Sequence, residues 1–224
     1  AIPLFLLFLG RTVRRPRWRS GALAGAFLAL VGYTRWQLLI PVSIVGAIYL
    51  IFVLPPRWKR RREWLPSLLL AGSIALLAFL PPGVLLLNEQ QANPASLVKE
   101  SDEVLMQTDL LAYVTPDAAH PVFGAFTAPA YDLYYSDRSA GRRFPAYIGA
   151  TALVLAALGV WHTGRKTAPW LAMAATLFLL ALGANLRVNG RLYPALPMPY
   201  RLARETFVVR LLRFPDRFSL FLAL

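Results

Sequence analysis

Long apolar runs alternate with short basic turns along this chain, and one long polar interval interrupts the pattern. About 20 helical residues cross the roughly 30 Å of hydrocarbon in a bilayer. The pattern therefore predicts an all-α integral membrane protein, a polytopic helix bundle with one long outer loop. The apolar runs of the chain lie at 21–33, 38–54, 64–87, 145–161 and 168–186, with partial runs at 1–10 and 218–224.

Two basic clusters, 11–19 and 57–62, enclose a stretch that is apolar except for Thr34-Arg35-Trp36-Gln37. Two helices that turn at 34–37 would place both clusters on one side of the membrane, as the positive-inside rule favours. One straight helix would exceed the bilayer core and place the clusters on opposite sides. We predict the two helices, with the single long helix as the alternative.

The remaining pattern divides the chain into three regions. Residues 1–87 are predicted to be transmembrane, although the proline pair at 81–82 predicts a kink or an end in the third helix. Residues 88–144 are predicted to form an outer-face loop with short helices. Residues 145–224 are predicted to return as transmembrane helices that carry an interfacial, arginine-rich segment at 187–217.

Composition supports lipid as the solvent for much of this chain. Hydrophobic residues make up 57% and charged residues only 16%, against roughly a quarter charged in a soluble domain. The net charge of +13 lies in clusters beside apolar runs, as in the cytoplasmic loops of membrane proteins. We therefore interpret the charge as a determinant of membrane topology and expect membrane lipid, not nucleic acid, as the partner. The chain starts and stops inside apolar runs, which predicts an internal segment of a longer membrane protein.

Several classes of chemistry lack their residues. Cysteine is absent, so the chain offers no disulfide, zinc–thiolate site or thiol nucleophile. A phosphate-binding Gly-rich loop, an HExxH motif and a GxSxG motif are also missing from the sequence, which gives no support to a nucleotide-driven or zinc-protease mechanism.

The most suggestive titratable set is Asp109, Asp117 and His120, inside the polar interval. A carboxylate near an imidazole can act as a general base, or can hold a divalent cation on a diphosphate-linked substrate. These three are therefore the candidate catalytic residues, and a divalent cation is the candidate cofactor. The alternative is that they are loop residues that cap turns beside Pro116 and Pro121.

Two further groups of cations are candidate substrate-binding residues. Arg210, Arg213, Asp216 and Arg217 lie where a span begins, and guanidinium groups suit a phosphate or pyrophosphate head group. The alternative is an interfacial anchor in which Asp216 pairs with a neighbouring arginine. Arg35, between two apolar runs, is either a turn residue at the membrane interface or a buried cation that faces a cavity.

Four stretches carry a resemblance to a known family. They are LLAYVTPDAAHPVFG, FPAYIGATALVLAALGVW, LALGANLRVNGRLYPALPMPYRL and RFPDRF. Together they resemble the later half of bacterial polytopic membrane proteins of the GT-C glycosyltransferase type. The resemblance implies a multi-pass protein of the bacterial inner membrane and a donor sugar linked to a polyprenyl phosphate.

The resemblance also implies roles for parts of this chain. Residues 88–144 would form part of the outer-face donor or acceptor surface, and Arg210, Arg213 and Arg217 would contact the lipid phosphate. The catalytic carboxylate of this family lies in the first outer loop, which would precede Ala1, so the family assigns that role to no residue here.

Two other classes of function stay open. A transporter or flippase for a lipid-linked anionic cargo would favour broken helices in paired halves, and the sequence contains no clear internal repeat. A noncatalytic membrane protein of the cell envelope is the third hypothesis. An acidic residue in an upstream loop would favour the enzyme, and inverted symmetry in the full-length protein would favour transport.

Overall fold

The computed structural model describes residues 1–92, 108–135, 146–203 and 218–219, and these residues are mostly helical. They divide into two compact units, Ala1–Leu97 and Val98–Leu224. The helices of the first unit are α1 (Ile2–Arg14), α2 (Trp18–Thr34), α3 (Leu39–Val53) and α4 (Arg61–Ala92). The elements of the second unit are α5 (Gly124–Tyr134), α6 (Ala150–Thr163), α7 (Ala168–Ala181), β1 (Asn185–Val188), β2 (Arg191–Pro197) and α8 (Pro199–Ala203).

The predicted break between the two apolar runs is confirmed. Helix α2 ends at Thr34, a 3-10 turn occupies Trp36–Leu38, and α3 begins at Leu39. Arg35 lies between them with an extended backbone (φ −163°, ψ 97°). The alternative of one long straight helix is therefore wrong.

Helices α2 and α4 run parallel and pack closely. A Cβ atom on Gly21, near the start of α2, would overlap the carbonyl oxygen of Ser67, near the start of α4. Near the other end of α2, the hydroxyl group of Tyr33 donates a hydrogen bond to the carbonyl oxygen of Ala78 at 2.6 Å. The contacts thus advance by about one residue along α4 for each residue along α2. This is possible only if the two helices point in the same direction.

This parallel packing places both basic clusters at one end of the first unit. The α1–α2 turn precedes the start of α2, and the α3–α4 turn precedes the start of α4, so the two turns lie at the same end. The two clusters thus lie at the same end of the first unit, as the prediction of a common side requires. We call this surface the basic end; its cations are Arg11, Arg14, Arg15, Arg17, Arg19, Arg57, Lys59, Arg60, Arg61 and Arg62.

Helix α4 continues through the proline pair that was predicted to kink or end it. It has 32 residues, which correspond to about 48 Å of helix. Pro82 has no N–H group to bond the carbonyl oxygen four residues earlier, which is that of Ala78. The hydroxyl group of Tyr33 bonds this carbonyl oxygen instead. The acceptor that Pro82 cannot satisfy is therefore satisfied by the neighbouring helix, and α4 stays helical.

In the part of the chain that the structure describes, two segments are long and apolar enough to cross a membrane, Trp36–Val53 and Pro55–Glu89. The core helix of a soluble protein would be mostly buried, whereas only 6% of the apolar window in the second segment is buried. Helices α6 and α7 are apolar but have only 14 residues each, which is shorter than the predicted runs.

The all-α prediction is wrong at β1 and β2. These strands form a two-stranded antiparallel sheet in which Val188 pairs with Arg191 beside the turn. The predicted interfacial segment 187–217 thus begins as a β-hairpin and continues into the short α8. The rest of that segment, 204–217, lies outside the described residues.

The contact between α2 and α4 yields a stability prediction. A Cβ atom on Gly25 would approach the Ala71 backbone and the Ile74 side chain at overlapping distances. We expect Gly25→Ala to force α2 and α4 apart and to lower the free energy of unfolding by about 1–3 kcal/mol. Thermal unfolding of the purified protein in detergent measures this change.

Gly159→Ala on α6 is the matched control, because a Cβ atom there meets nothing within 4 Å. It should leave the melting temperature unchanged or raise it slightly, since alanine favours helix over glycine. Equal melting temperatures for Gly25→Ala and the unmodified protein would contradict the close α2–α4 packing.

Candidate functional site

The carboxylate of Asp109 is fully buried and accepts backbone hydrogen bonds from two separate segments. Its Oδ1 accepts from the N–H of Leu111 at 2.9 Å, which caps the 3-10 turn at Leu110–Tyr113. The same oxygen accepts from the N–H of Asn189 at 3.1 Å, and Oδ2 accepts from the N–H of Gly190 at 2.8 Å. One side chain thus joins the start of the lobe at 108–135 to the β-hairpin.

The hairpin turn has the backbone that these bonds require. Asn189 and Gly190 have positive φ angles of 52° and 76°, as both central residues of a type I′ turn must. A Cβ atom on Gly190 would overlap the carbonyl oxygen of Leu133, so glycine is needed for space as well as for conformation. The turn therefore fits against α5 while its two N–H groups reach Asp109.

This geometry corrects the prediction that Asp109 is catalytic. A general base or a metal ligand needs an oxygen that substrate or cation can approach. Both oxygens of Asp109 are instead bonded to backbone N–H groups within a fully buried environment. The side chain stabilises the fold of the lobe.

Buried tyrosines on α5 form the rest of this structural core. The hydroxyl group of Tyr131 donates to the carbonyl oxygen of Thr115 at 3.1 Å and lies 3.4 Å from that of Ala112. Burial raises the pKa of Tyr131 well above its usual value, and the nearby side chains of Tyr135 and Asp117 raise it further. The phenol stays protonated and keeps its role as a donor.

Arg187 on β1 is a fully buried cation, and no sequence pattern distinguishes it from the other arginines of the chain. Its Nη1 donates a hydrogen bond to the carbonyl oxygen of Tyr134 at 3.2 Å, which ties β1 to the end of α5. The hairpin itself did have a signal. Asn189-Gly190 between alternating apolar residues is a strong short-range indicator of a β-hairpin.

Asp117 and His120 are brought together in one turn, which we call the Asp117–His120 turn. Oδ1 of Asp117 accepts from the N–H of Ala119 at 2.7 Å, and the N–H of His120 donates to the carbonyl oxygen of Asp117 at 2.8 Å. The prediction that these residues cap turns is therefore confirmed. Both side chains are also partly exposed, which leaves them accessible for chemistry.

The imidazole ring of His120 has a fixed orientation. Its Nδ1 accepts from the N–H groups of Val122 and Phe123, each at 3.2 Å. The proton of the neutral ring therefore resides on Nε2, which acts as a donor. The rings of Phe123 and Tyr147 lie beside the imidazole, with centroids 5.3 Å and 6.4 Å away.

A divalent cation finds no ready site in the described ranges. No group of three His, Cys, Asp or Glu residues among them is placed to hold a metal ion. Asp109 cannot contribute, because its oxygens already accept backbone hydrogen bonds. The predicted trio thus separates into one structural carboxylate and one exposed pair, and these residues do not fit a metal centre.

The remaining candidate residues lie elsewhere. Arg35 is exposed in the turn between α2 and α3, at the end of the first unit opposite to the basic end. This supports the turn-residue interpretation and not a buried cation in a cavity. The other candidates, Arg210, Arg213, Asp216 and Arg217, lie outside the described residues.

The bonds to Asp109 yield a second prediction. Asp109→Asn removes the charge and sets an NH2 donor where an oxygen accepts, so at least one backbone N–H loses its partner. Hydrogen bonds to a charged group contribute about 1.5–3 kcal/mol each, so we expect the free energy of unfolding to fall by about 3 kcal/mol. Hydrogen exchange at the amides of Asn189 and Gly190 should become faster.

Asp132→Asn, the same substitution at an exposed carboxylate on α5, is the control and should change neither measurement. Unchanged exchange at Asn189 and Gly190 in the Asp109→Asn variant would show that Asp109 does not hold the hairpin.

Comparison of the chain with protein-family models, with curated proteins and with solved structures found no match.

Proposed function

We propose that this chain belongs to an integral membrane glycosyltransferase of the bacterial inner membrane. The enzyme would transfer a sugar from a polyprenyl-phosphate donor to an acceptor on the outer face. The observation that carries the proposal is the Asp117–His120 turn, which presents a carboxylate and an oriented imidazole N–H group on a packed lobe. The sequence resemblance to GT-C enzymes supports the substrate class.

The exposed apolar surface supports a membrane location. The side chains of Leu69, Leu76, Leu77 and Leu85 on α4 are exposed, although water would disfavour each of them. Helix α4 starts at the basic end and is long enough to cross the hydrocarbon core, so the polar segment that follows it would emerge on the far side. With the basic turns in the cytoplasm, that segment would lie on the outer face.

The two side chains of the turn suit separate parts of a transfer reaction. Asp117 would accept the proton of the acceptor hydroxyl group as that oxygen attacks the anomeric carbon of the sugar. The bond from this carbon to the phosphate oxygen breaks, and its electron pair leaves with the phosphate. His120 would donate its Nε2–H group to the departing phosphate and stabilise the charge that develops there.

Aromatic side chains beside the turn would contact the sugar. Phe123 and Phe126 are exposed, Phe126 by 83%, and the ring of Tyr147 stands near His120. Exposed aromatic faces next to polar hydrogen-bonding groups are common in binding sites, where they supply apolar contact at little cost in side-chain entropy. The lipid phosphate would then be bound by Arg210, Arg213 and Arg217, as the resemblance implies.

The transfer reaction gives a direct test. With a radiolabelled polyprenyl-phosphate sugar and the protein reconstituted in lipid, we expect Asp117→Asn and His120→Ala each to lower kcat by about 100-fold. The melting temperature should change little for Asp117→Asn, whose side-chain oxygen can still accept from the N–H of Ala119, and should fall moderately for His120→Ala, which removes the acceptor of two backbone N–H groups. Asp132→Asn is the matched control and should retain full transfer activity.

Full activity in both turn variants would exclude the turn from the chemistry. Absence of transfer by the unmodified protein with any polyprenyl-phosphate sugar would favour the noncatalytic hypothesis.

Membrane topology is tested separately from catalysis. Because the chain has no cysteine, Arg17→Cys at the basic end and Ala119→Cys in the turn each create a single reactive thiol. We expect a membrane-impermeant maleimide to label Ala119→Cys in intact cells with the outer membrane opened, and Arg17→Cys only after the inner membrane is disrupted. Labelling of both variants from the same side would contradict the proposed topology.

A further inference from the structure

The first unit contains an apolar groove that the proposed reaction does not use. It has a volume of about 280 Å³ and is lined by all four helices of the unit. An apolar cavity of roughly 150 Å³ already accepts a benzene molecule, so this groove has room for a segment of hydrocarbon chain. Its walls are formed by small and aliphatic residues, among them Leu9, Ala24, Gly46, Leu68 and Gly72.

The groove lies close to the basic end. Leu9 precedes Arg11 by two residues, and Ala24 follows Arg19 by five, so both lie within about two helical turns of the cations. The described cations of this end are all exposed except Arg57, which is half-buried. A single acidic side chain, Glu63, offsets them locally through its ion pair with Arg60 at 3.0 Å.

We propose that the groove binds one chain of an anionic membrane lipid whose phosphate group lies at the basic end. This goes beyond sugar transfer, because the lipid binds near the start of α4, whereas the Asp117–His120 turn belongs to the segment that follows the end of α4. A hydrocarbon chain fills the apolar groove, and the guanidinium groups bind the phosphate oxygens.

The aromatic residues at this end favour a lipid over an acidic protein. Trp18 and Trp58 are 66% and 56% exposed, and their rings lie 5.5 Å and 6.0 Å from the guanidinium carbons of Arg19 and Arg61. Indole rings beside basic residues are typical of the membrane–water interface. A polypeptide in the groove would also leave its backbone polar groups without partners, which a hydrocarbon chain does not.

The experiment uses the purified protein in nanodiscs of phosphatidylcholine. One of two photoactivatable lipids is added in trace amount, phosphatidylglycerol or phosphatidylcholine, each with a diazirine group on one acyl chain. Cross-linked residues are then identified by mass spectrometry. We expect phosphatidylglycerol to label groove residues on α1–α4 about tenfold more than phosphatidylcholine does, and salt to reduce the difference.

Filling the groove tests the position of the hydrocarbon chain of the lipid. Gly72 lines the groove and a Cβ atom there meets nothing within 4 Å, so Gly72→Leu adds side-chain volume at the groove without a clash at Cβ. We expect about tenfold less labelling, which corresponds to the loss of roughly two buried methylene groups. Gly159→Leu is the matched control, since this glycine on α6 also has open space around it and lies outside the groove.

Removing cations tests the position of the phosphate. The double variant Arg17→Gln with Arg19→Gln should lower phosphatidylglycerol labelling by about 20-fold and leave phosphatidylcholine labelling unchanged. Arg35→Gln removes a cation from the opposite end of the same unit and should change neither.

Three outcomes would overturn the inference. One is labelling spread evenly over all exposed apolar helices, which would mean bulk lipid only. Another is equal labelling of the groove by both lipids, which would show that the site does not recognise the anionic head group. The third is an acidic polypeptide retained at the basic end while the groove stays unlabelled. None of these bears on transfer activity, so failure here is distinct from failure of the proposed function.

Discussion

The second unit depends on the hydrogen bonds that the buried carboxylate of Asp109 accepts. A buried charge costs several kcal/mol unless its hydrogen bonds are made, and here three backbone N–H groups make them. Two of those groups belong to residues about 80 positions away in sequence, so the bond fixes a long-range contact. It also supplies acceptors for the two N–H groups of a tight turn. The fold thus supplies hydrogen-bond donors to the buried charge, and the charge supplies acceptors to the backbone of the turn.

Hydrogen bonds to this core fix the position of the Asp117–His120 turn. Asp109 holds the 3-10 turn at Leu110–Tyr113, and the hydroxyl group of Tyr131 then holds the carbonyl oxygen of Thr115, two residues before Asp117. The segment is thus fixed on the inner side by bonds to buried groups while Asp117 and His120 face outward. A rigid support beneath exposed polar groups is what an oriented functional site needs.

The first unit is built on a different constraint, the close approach of helix backbones. Small residues and interhelical hydrogen bonds allow two helices to approach closely, without large side chains between them. Gly21 and Gly25 bring α2 against α4, and Tyr33 bonds the carbonyl oxygen that Pro82 leaves without a partner. The small residues that permit this close packing also leave space for the apolar groove near the basic end.

The sequence by itself determined the mostly helical class, the break at Arg35 and the common end of the two basic clusters. Each of these follows from local hydropathy and charge, which act over a few residues. It also contained the Asn189-Gly190 turn, although the segment around it was predicted to be interfacial and arginine-rich. Only the tertiary structure decided that Asp109 is structural while Asp117 and His120 are accessible, because burial and hydrogen-bond partners depend on segments far apart in the chain. For the same reason, the hydrogen bond to the carbonyl oxygen that Pro82 leaves without a partner could not be predicted, because its donor comes from another helix.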